Sequence, residues 1–103
     1  MADLPGSQVG LDALTWPQLD GFNLHPFVQV YCESMIWEFP RHMSNGIYGA
    51  YLTGSAEVVL VLDGLPFLLN FHSWTQVNVD PCQREGIVIR RFQIVYRVLN
   101  EHD

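Results

Sequence analysis

Two apolar runs meet at Asp63-Gly64 and form the most regular pattern of hydrophobic positions in the chain. An Asp-Gly pair between such runs is typical of a two-residue type I′ turn, because both turn positions need a positive φ. The turn also fixes which residues lie opposite one another, from Leu62 with Leu65 at the turn to Glu57 with Asn70 at the far end. The sequence therefore predicts a β-hairpin with a defined register.

Both faces of this predicted hairpin are apolar. Alternation along the strands places one set of large side chains on a first face, which an ordinary core would cover: Val58, Leu60, Leu62, Leu65, Phe67 and Leu69. The opposite face carries a second set: Val59, Val61, Pro66 and Leu68. Burying a large apolar side chain is worth roughly 1.5–3 kcal/mol. We therefore expect a second layer of the domain, or another chain, to cover this face.

Pro66 limits how a further strand can pair with the hairpin. It has no amide hydrogen, and in this register the missing donor would point away from Val61. We expect the second strand to be a sheet edge at this point, or its outer neighbour to pair only from Phe67 onward.

The remaining hydrophobic pattern predicts four more strands, over residues 26–39, 47–53, 75–80 and 87–99. Residues 40–46 and 81–86 have the composition of loops. A helix is the alternative for 26–39 and for 87–99, because Pro26 suits a first helical turn and 87–99 also has apolar residues at helical spacing. Six strands joined by short turns predict a mainly β fold, either a small antiparallel β-sandwich or a barrel.

Residues 1–23 differ from the rest because they contain three aspartates, several prolines and glycines, and no basic residue. They predict an irregular acidic arm with at most a short helical turn near Leu11–Leu14, ended by Trp16-Pro17. Leu19 and Phe22 are expected, with Trp16, to anchor this arm to a β body over residues 24–100. An arm that binds a partner is the alternative. The whole chain of 103 residues fits one domain.

The composition is that of an acidic, folded chain. Hydrophobic residues make up 49% and charged residues 16%, and the net charge is −6. This charge disfavours direct binding to nucleic acid or to anionic membranes. No apolar run reaches the roughly 20 residues of a membrane helix, and the N-terminus lacks the pattern of a secretory signal. We expect a soluble, intracellular protein of the cytoplasm.

Lysine is absent, and all five basic residues are arginines. At usual frequencies about six lysines would be expected in this length. A GC-rich genome that favours arginine codons is one explanation, and selection against lysine-directed modification is the other. Both are consistent with a phage or viral protein that acts in the host cytoplasm.

Residue types that support catalysis or metal binding occur without the spacing that such sites need. The four histidines and two cysteines form no HxH, HxxxH or CxxC pattern. His72 and Ser73 are residue types of a catalytic triad, but neighbours on a strand point to opposite faces. Cys32 and Cys82 are expected to be reduced and separate, although a disulfide stays open if the fold brings them together. We expect no enzyme activity, cofactor or metal site.

Two other groups of side chains are candidates for protein recognition. The first is an aromatic patch near predicted strand ends, since aromatics concentrate in interfaces: Trp37, Phe39 and Trp74. The second is a run of arginines in an otherwise acidic chain: Arg90, Arg91 and Arg97. These arginines predict either a solvated face paired with carboxylates or a docking strip for an acidic partner.

Together these patterns favour a non-enzymatic interaction protein that associates with itself or with a protein partner, such as a phage or viral accessory factor or a virion component. One alternative is a small-ligand or carbohydrate-binding β-barrel that uses aromatics around a pocket. Another is an acidic inhibitor that occupies a nucleic-acid site on a host protein. It predicts one surface shared by seven carboxylates: Asp3, Asp12, Asp20, Glu33, Glu38, Glu57 and Asp63.

Overall fold

Six antiparallel strands form one sheet, and two helices accompany it. A computed structural model describes residues 13–78 and 88–99 of the chain. The elements in chain order are α1 (Trp16–Phe22), β1 (His25–Cys32), β2 (Met35–Glu38), α2 (Arg41–Leu52), β3 (Glu57–Leu62), β4 (Leu65–Asn70), β5 (Thr75–Asn78) and β6 (Ile89–Arg97). The strand order in the sheet is β2-β1-β6-β5-β4-β3. The prediction of a mainly β chain with about six antiparallel strands is confirmed.

The central hairpin has the predicted turn and register. Asp63 and Gly64 have φ values of 53° and 80°, as a type I′ turn needs. Leu62 pairs with Leu65, and the register continues without a slip to Glu57 and Asn70. Strand β5 pairs with β4 from Phe67 to Asn70, and the position that would lie opposite Pro66 is outside the described residues.

The sheet curls strongly around its core. The rings of Trp37 in β2 and Phe67 in β4 are stacked 6.4 Å apart, although three strands separate β2 from β4 in the sheet order. Helix α2 packs against the inner, concave face, where Ser44 accepts a hydrogen bond from the amide of Val28 at 3.0 Å. A single curled sheet filled by a helix therefore replaces the two packed sheets of a sandwich, and its form is closer to a barrel.

Residues 40–53 were predicted as a loop and a strand, and this prediction is wrong because they form α2. Four buried side chains at helical spacing decide the structure: Ser44, Ile47, Tyr48 and Tyr51. Packing of this face on the sheet outweighs the weak helix propensity of Asn45 and Gly46, as tertiary context often does.

Two smaller predictions also need correction. Residues 26–39 form a tight hairpin, β1 and β2, rather than one strand, because Glu33 adopts a positive φ of 54° at the turn. Trp16-Pro17 begins a helix instead of ending one: Thr15 caps α1 with a capping box, and proline is favourable in a first turn. The rest of the predicted arm, residues 1–12, lies outside the described residues.

The predicted anchors of the arm differ in burial. Leu19 is 2% exposed and joins the core, whereas Phe22 is 62% exposed. Trp16 is 44% exposed, and its ring meets the ring of Tyr48 edge-on at 5.3 Å. Leu19 and Trp16 therefore fix α1 to the body, and Phe22 does not.

Candidate interaction surface

The outer, convex face of the sheet carries a continuous row of apolar side chains across four strands. Val59 in β3 lies opposite Leu68 in β4, Leu68 lies opposite Val77 in β5, and Val77 lies opposite Ile89 in β6. Cross-strand partners share a face of a sheet, so these four side chains project together. We call them the apolar row.

Much of the apolar row is in contact with solvent. Val59 is 62% exposed and Ile89 is 64% exposed, while Leu68 and Val77 are half-buried between them. Val61, also 62% exposed, extends the surface toward the turn of the hairpin. No described element packs over this face, so within residues 13–78 and 88–99 the second apolar face of the hairpin is uncovered.

A second row runs beside the apolar row and has a charge at each end. Glu57, Asn70, Thr75 and Arg91 lie opposite one another in that order, and we call them the polar row. Glu57 on the edge strand β3 and Arg91 on β6 are both exposed. Neither forms an ion pair with another described residue.

The outer face has a different character over β2, β1 and β6. Arg97 donates two hydrogen bonds to Glu38, with Nη1–Oε1 and Nη2–Oε2 distances of 2.6 and 3.0 Å. Gln29 donates to the same carboxylate at 3.0 Å and accepts from Gln93 at 2.9 Å. The Arg97 bond lowers the pKa of Glu38, and the effect outweighs partial burial, which acts in the opposite direction. Over these three strands, polar side chains that hydrogen-bond to one another take the place of the apolar row.

The three arginines predicted as a strip do not share one surface. Arg90 lies opposite the buried Gln76 on the inner face, whereas Arg91 belongs to the polar row on the outer face. Arg97 binds Glu38 and covers the ring of Phe27, with its Cζ 3.9 Å from the ring centroid. For Arg97 the structure fits the predicted pairing with carboxylates.

The three aromatics predicted as a patch belong to two different clusters. Phe39 is 1% exposed and meets Trp37 edge-on at 4.7 Å, which leaves Trp37 as the partly exposed member at 37%. Trp74 is half-buried and packs against three other rings: Tyr51, Phe71 and Phe92. Phe39 belongs to the core and Trp74 packs against it, whereas Trp37 remains on the surface.

Tyr48 projects from α2 into the core and is fully buried. Its hydroxyl donates to the carbonyl oxygen of Leu14 and lies 2.9 Å from the hydroxyl of Tyr96. Burial raises the pKa of Tyr48, and the Tyr96 contact acts in the same direction. This buried hydroxyl pair ties the start of α1 to the helix α2 and the strand β6.

A cavity of about 320 Å³ opens at the end of the sheet where β6 finishes, and it is lined by Phe27, Arg41, Arg97 and Leu99. Arg41 donates a hydrogen bond to Nδ1 of His25 at 2.9 Å. Arg97 is paired with Glu38, so Arg41 is the cationic group that this apolar-floored cavity offers to a small anion. Sequence reasoning missed it because Arg41 was placed in a loop rather than at the start of α2.

The described residues contain neither a candidate metal-binding cluster nor a helix that could span a membrane. Among residues 13–78 and 88–99, no three His, Cys, Asp or Glu side chains lie together as a set able to hold a metal ion. In the same part of the chain, no helix has the length and apolar character to cross a membrane. Cys82 lies outside the described residues, and so does its predicted relation to Cys32.

Sequence reasoning found half of the apolar row and missed the other half. Val59 and Leu68 followed from the hairpin register, but Val77 and Ile89 were not singled out. The alternation of Thr75, Gln76 and Val77 was the available signal; it does not reveal that Gln76, 1% exposed, is the buried member.

Comparison with protein-family models gives no match for the chain, and comparison with curated proteins gives none either.

Proposed function

We propose that this protein is a non-enzymatic interaction protein that associates with a second copy of itself through the outer face of β3, β4, β5 and β6. The apolar row is the observation that carries this proposal. Exposed apolar surface is unfavourable in water, and a contiguous patch bordered by polar residues is typical of an interaction site. The polar row supplies such a border, with the charges at its two ends.

Sedimentation velocity over a concentration series tests this proposal. We expect the wild type to shift from monomer to dimer between about 10 μM and 1 mM, the range of weak interfaces. A variant with Val59→Thr and Ile89→Thr keeps strand-forming residues but makes the apolar row more polar, so its dimer should be weaker. Val98→Thr is the matched control, because Val98 is 53% exposed but lies outside the row. A wild type that stays monomeric throughout would contradict the proposal.

A small-anion binding protein is the second candidate, and the cavity beside Arg41 supports it. Its volume lies at the lower end of the range for small-ligand pockets, about 300–1,000 Å³. Benzoate or inorganic phosphate should raise the melting temperature of the wild type, and Arg41→Gln should abolish that rise. Arg91→Gln, on the outer face, should keep it. Equal melting temperatures with and without these anions would count against this candidate.

The acidic-inhibitor alternative receives less support from the placement of the carboxylates. Glu38 is engaged by Arg97, and Glu57 and Asp63 stand at opposite ends of the strand β3. Asp3 and Asp12 lie outside the described residues. A phage or viral setting in the host cytoplasm remains part of the proposal on composition alone, and capture of partners from the native host would test it.

A further inference from the structure

We propose that the cavity beside Arg41 selects monocarboxylates that carry a compact apolar group, such as an aromatic or a branched-chain acid. This inference rests on the second candidate function, small-anion binding, and adds the chemical class of the ligand. It is carried by the make-up of the cavity wall, which combines one available guanidinium with two apolar side chains: Arg41, Phe27 and Leu99.

The Arg41 side chain is held in place and still has donors to offer. A guanidinium has two edges, each with a pair of parallel N–H groups that fits a carboxylate. Nη2 of Arg41 donates to Nδ1 of His25 at 2.9 Å, which uses a hydrogen of one edge and leaves the other edge complete. Among residues 13–78 and 88–99, no carboxylate lies within ion-pair distance of Arg41. Arg41 can therefore bind one carboxylate through two hydrogen bonds while His25 fixes its orientation.

The other guanidinium in the wall adds no second charge for a ligand. Arg97 donates two hydrogen bonds to Glu38, and its Cζ lies 3.9 Å from the centroid of the Phe27 ring. The Arg97–Glu38 pair has no net charge, so Arg41 supplies the excess positive charge of the cavity. A dicarboxylate or a doubly charged phosphate would bring a second negative charge without a partner, which is unfavourable.

Apolar side chains set the second requirement on the ligand. Phe27 is 5% exposed and Leu99 is half-buried, so both present hydrocarbon to the cavity. A water molecule occupies about 30 Å³ in the liquid, so the cavity volume of about 320 Å³ holds much more than a carboxylate group. An apolar group attached to the carboxylate would displace water from this wall, and each buried CH₂ group should tighten binding by about fourfold.

An NMR titration with matched ligands tests this ligand class. Benzoate carries both features, acetate keeps the charge without the ring, benzamide keeps the ring without the charge, and inorganic phosphate is the multivalent anion. At constant ionic strength, benzoate should bind with a Kd on the order of 1 mM. Each of the other ligands should bind at least about tenfold more weakly.

Variants of the cavity wall locate the site. Arg41→Gln should weaken benzoate binding at least about tenfold, because it removes the paired donors. Leu99→Ala should weaken benzoate binding by about fourfold but leave acetate binding unchanged. His42→Gln is the matched control, since His42 is the next residue of α2, is exposed and does not line the cavity. It should bind benzoate like the wild type, and circular dichroism should show that every variant is folded.

The outcomes separate this inference from the candidate function on which it rests. If phosphate or acetate binds as tightly as benzoate and Arg41→Gln removes that binding, small-anion binding stands and the ligand class is wrong. Benzamide binding as tight as that of benzoate would show that the carboxylate is not recognised. Benzoate binding that a folded Arg41→Gln variant retains in full would overturn the site. If none of the anions binds the wild type at about 10 mM, both proposals are wrong.

Discussion

Arg97 reaches Glu38 across the whole width of strand β1. The two residues lie on β6 and β2, and β1 separates these strands in the sheet, yet their side chains form two hydrogen bonds of 2.6 and 3.0 Å. Gln29 of the intervening strand donates to the same carboxylate. The contact therefore ties the edge strand β2, which has only four residues, to the centre of the sheet.

This contact predicts a pH-dependent stability with a definite sign. The pKa of Glu38 is lowered from 4.5 in the folded protein, so the folded state binds fewer protons than the unfolded chain. Its contribution is fully present above the unfolded pKa and disappears as the pH falls through the folded pKa. We expect Glu38→Gln to reduce the free energy of unfolding by about 0.5–1 kcal/mol at pH 7, because the pair is partly exposed.

Urea unfolding at several pH values measures this effect. The difference between wild type and Glu38→Gln should be constant near neutrality and shrink below about pH 4.5, the unfolded value. Glu57→Gln is the matched control, since Glu57 is exposed and has no ion pair with a described residue. A difference that stayed the same from pH 7 to pH 3 would show that the ion pair contributes nothing.

Two glycines give opposite predictions when each is changed to alanine. Gly46 lies in the interior of α2, is exposed, and has no atom within 4 Å of where a Cβ would be. Gly46→Ala should therefore stabilise the protein by about 0.5–1 kcal/mol, the usual gain in a helix. Gly64 has a φ of +80° at the hairpin turn, so Gly64→Ala should destabilise by about 1–2 kcal/mol.

Thermal unfolding of both variants tests the helix that the sequence pattern did not reveal. For a domain of this size, the melting temperature is expected to shift by about 4–8 °C for each kcal/mol of change in the free energy of unfolding. A lower melting temperature for Gly46→Ala would mean that residues 41–52 are not helical in solution.

The contrast between the β3–β4 hairpin and α2 shows how much of this fold is predictable from sequence. The hairpin was predictable because its turn type and its register depend on neighbouring residues, with Asp63-Gly64 between them. Helix α2 was not, because Asn45-Gly46 resembles a turn locally, and its stability comes from distant contacts such as Ser44 with Val28. Local chemistry decided the first element, and tertiary packing decided the second.

The candidate surface also divides into residues that local sequence predicts and residues that only the tertiary fold reveals. Val59, Val61, Pro66 and Leu68 follow from one hairpin, but the row extends to Val77 and Ile89 only when β5 and β6 are placed beside β4. That strand order is a long-range property which alternation does not encode. Arg90 and Arg91 are a different case, because alternation along a strand already places neighbouring residues on opposite faces.

Removal of the Tyr48 hydroxyl should weaken the core without leaving a large cavity. Tyr48→Phe removes the hydrogen bond to the Leu14 carbonyl and the contact with Tyr96. We expect a loss of about 1–3 kcal/mol, because buried polar groups lose a partner. Tyr96→Phe is the comparison: it keeps the bond from Tyr48 to Leu14 and should have a smaller effect in urea unfolding. Equal losses in the two variants would argue against the Leu14 contact.

Neighbouring leucines in β4 predict the clearest separation between folding and association. Leu69 is fully buried on the inner face, whereas Leu68 is half-buried in the apolar row. Leu69→Ala should destabilise the protein by about 2–5 kcal/mol through loss of burial and the cavity it leaves. Leu68→Ala should change the free energy of unfolding by less than about 1 kcal/mol for the dilute monomer but weaken the dimer. Urea unfolding at low concentration and sedimentation at high concentration measure the two effects, and the prediction fails if both variants lose stability equally.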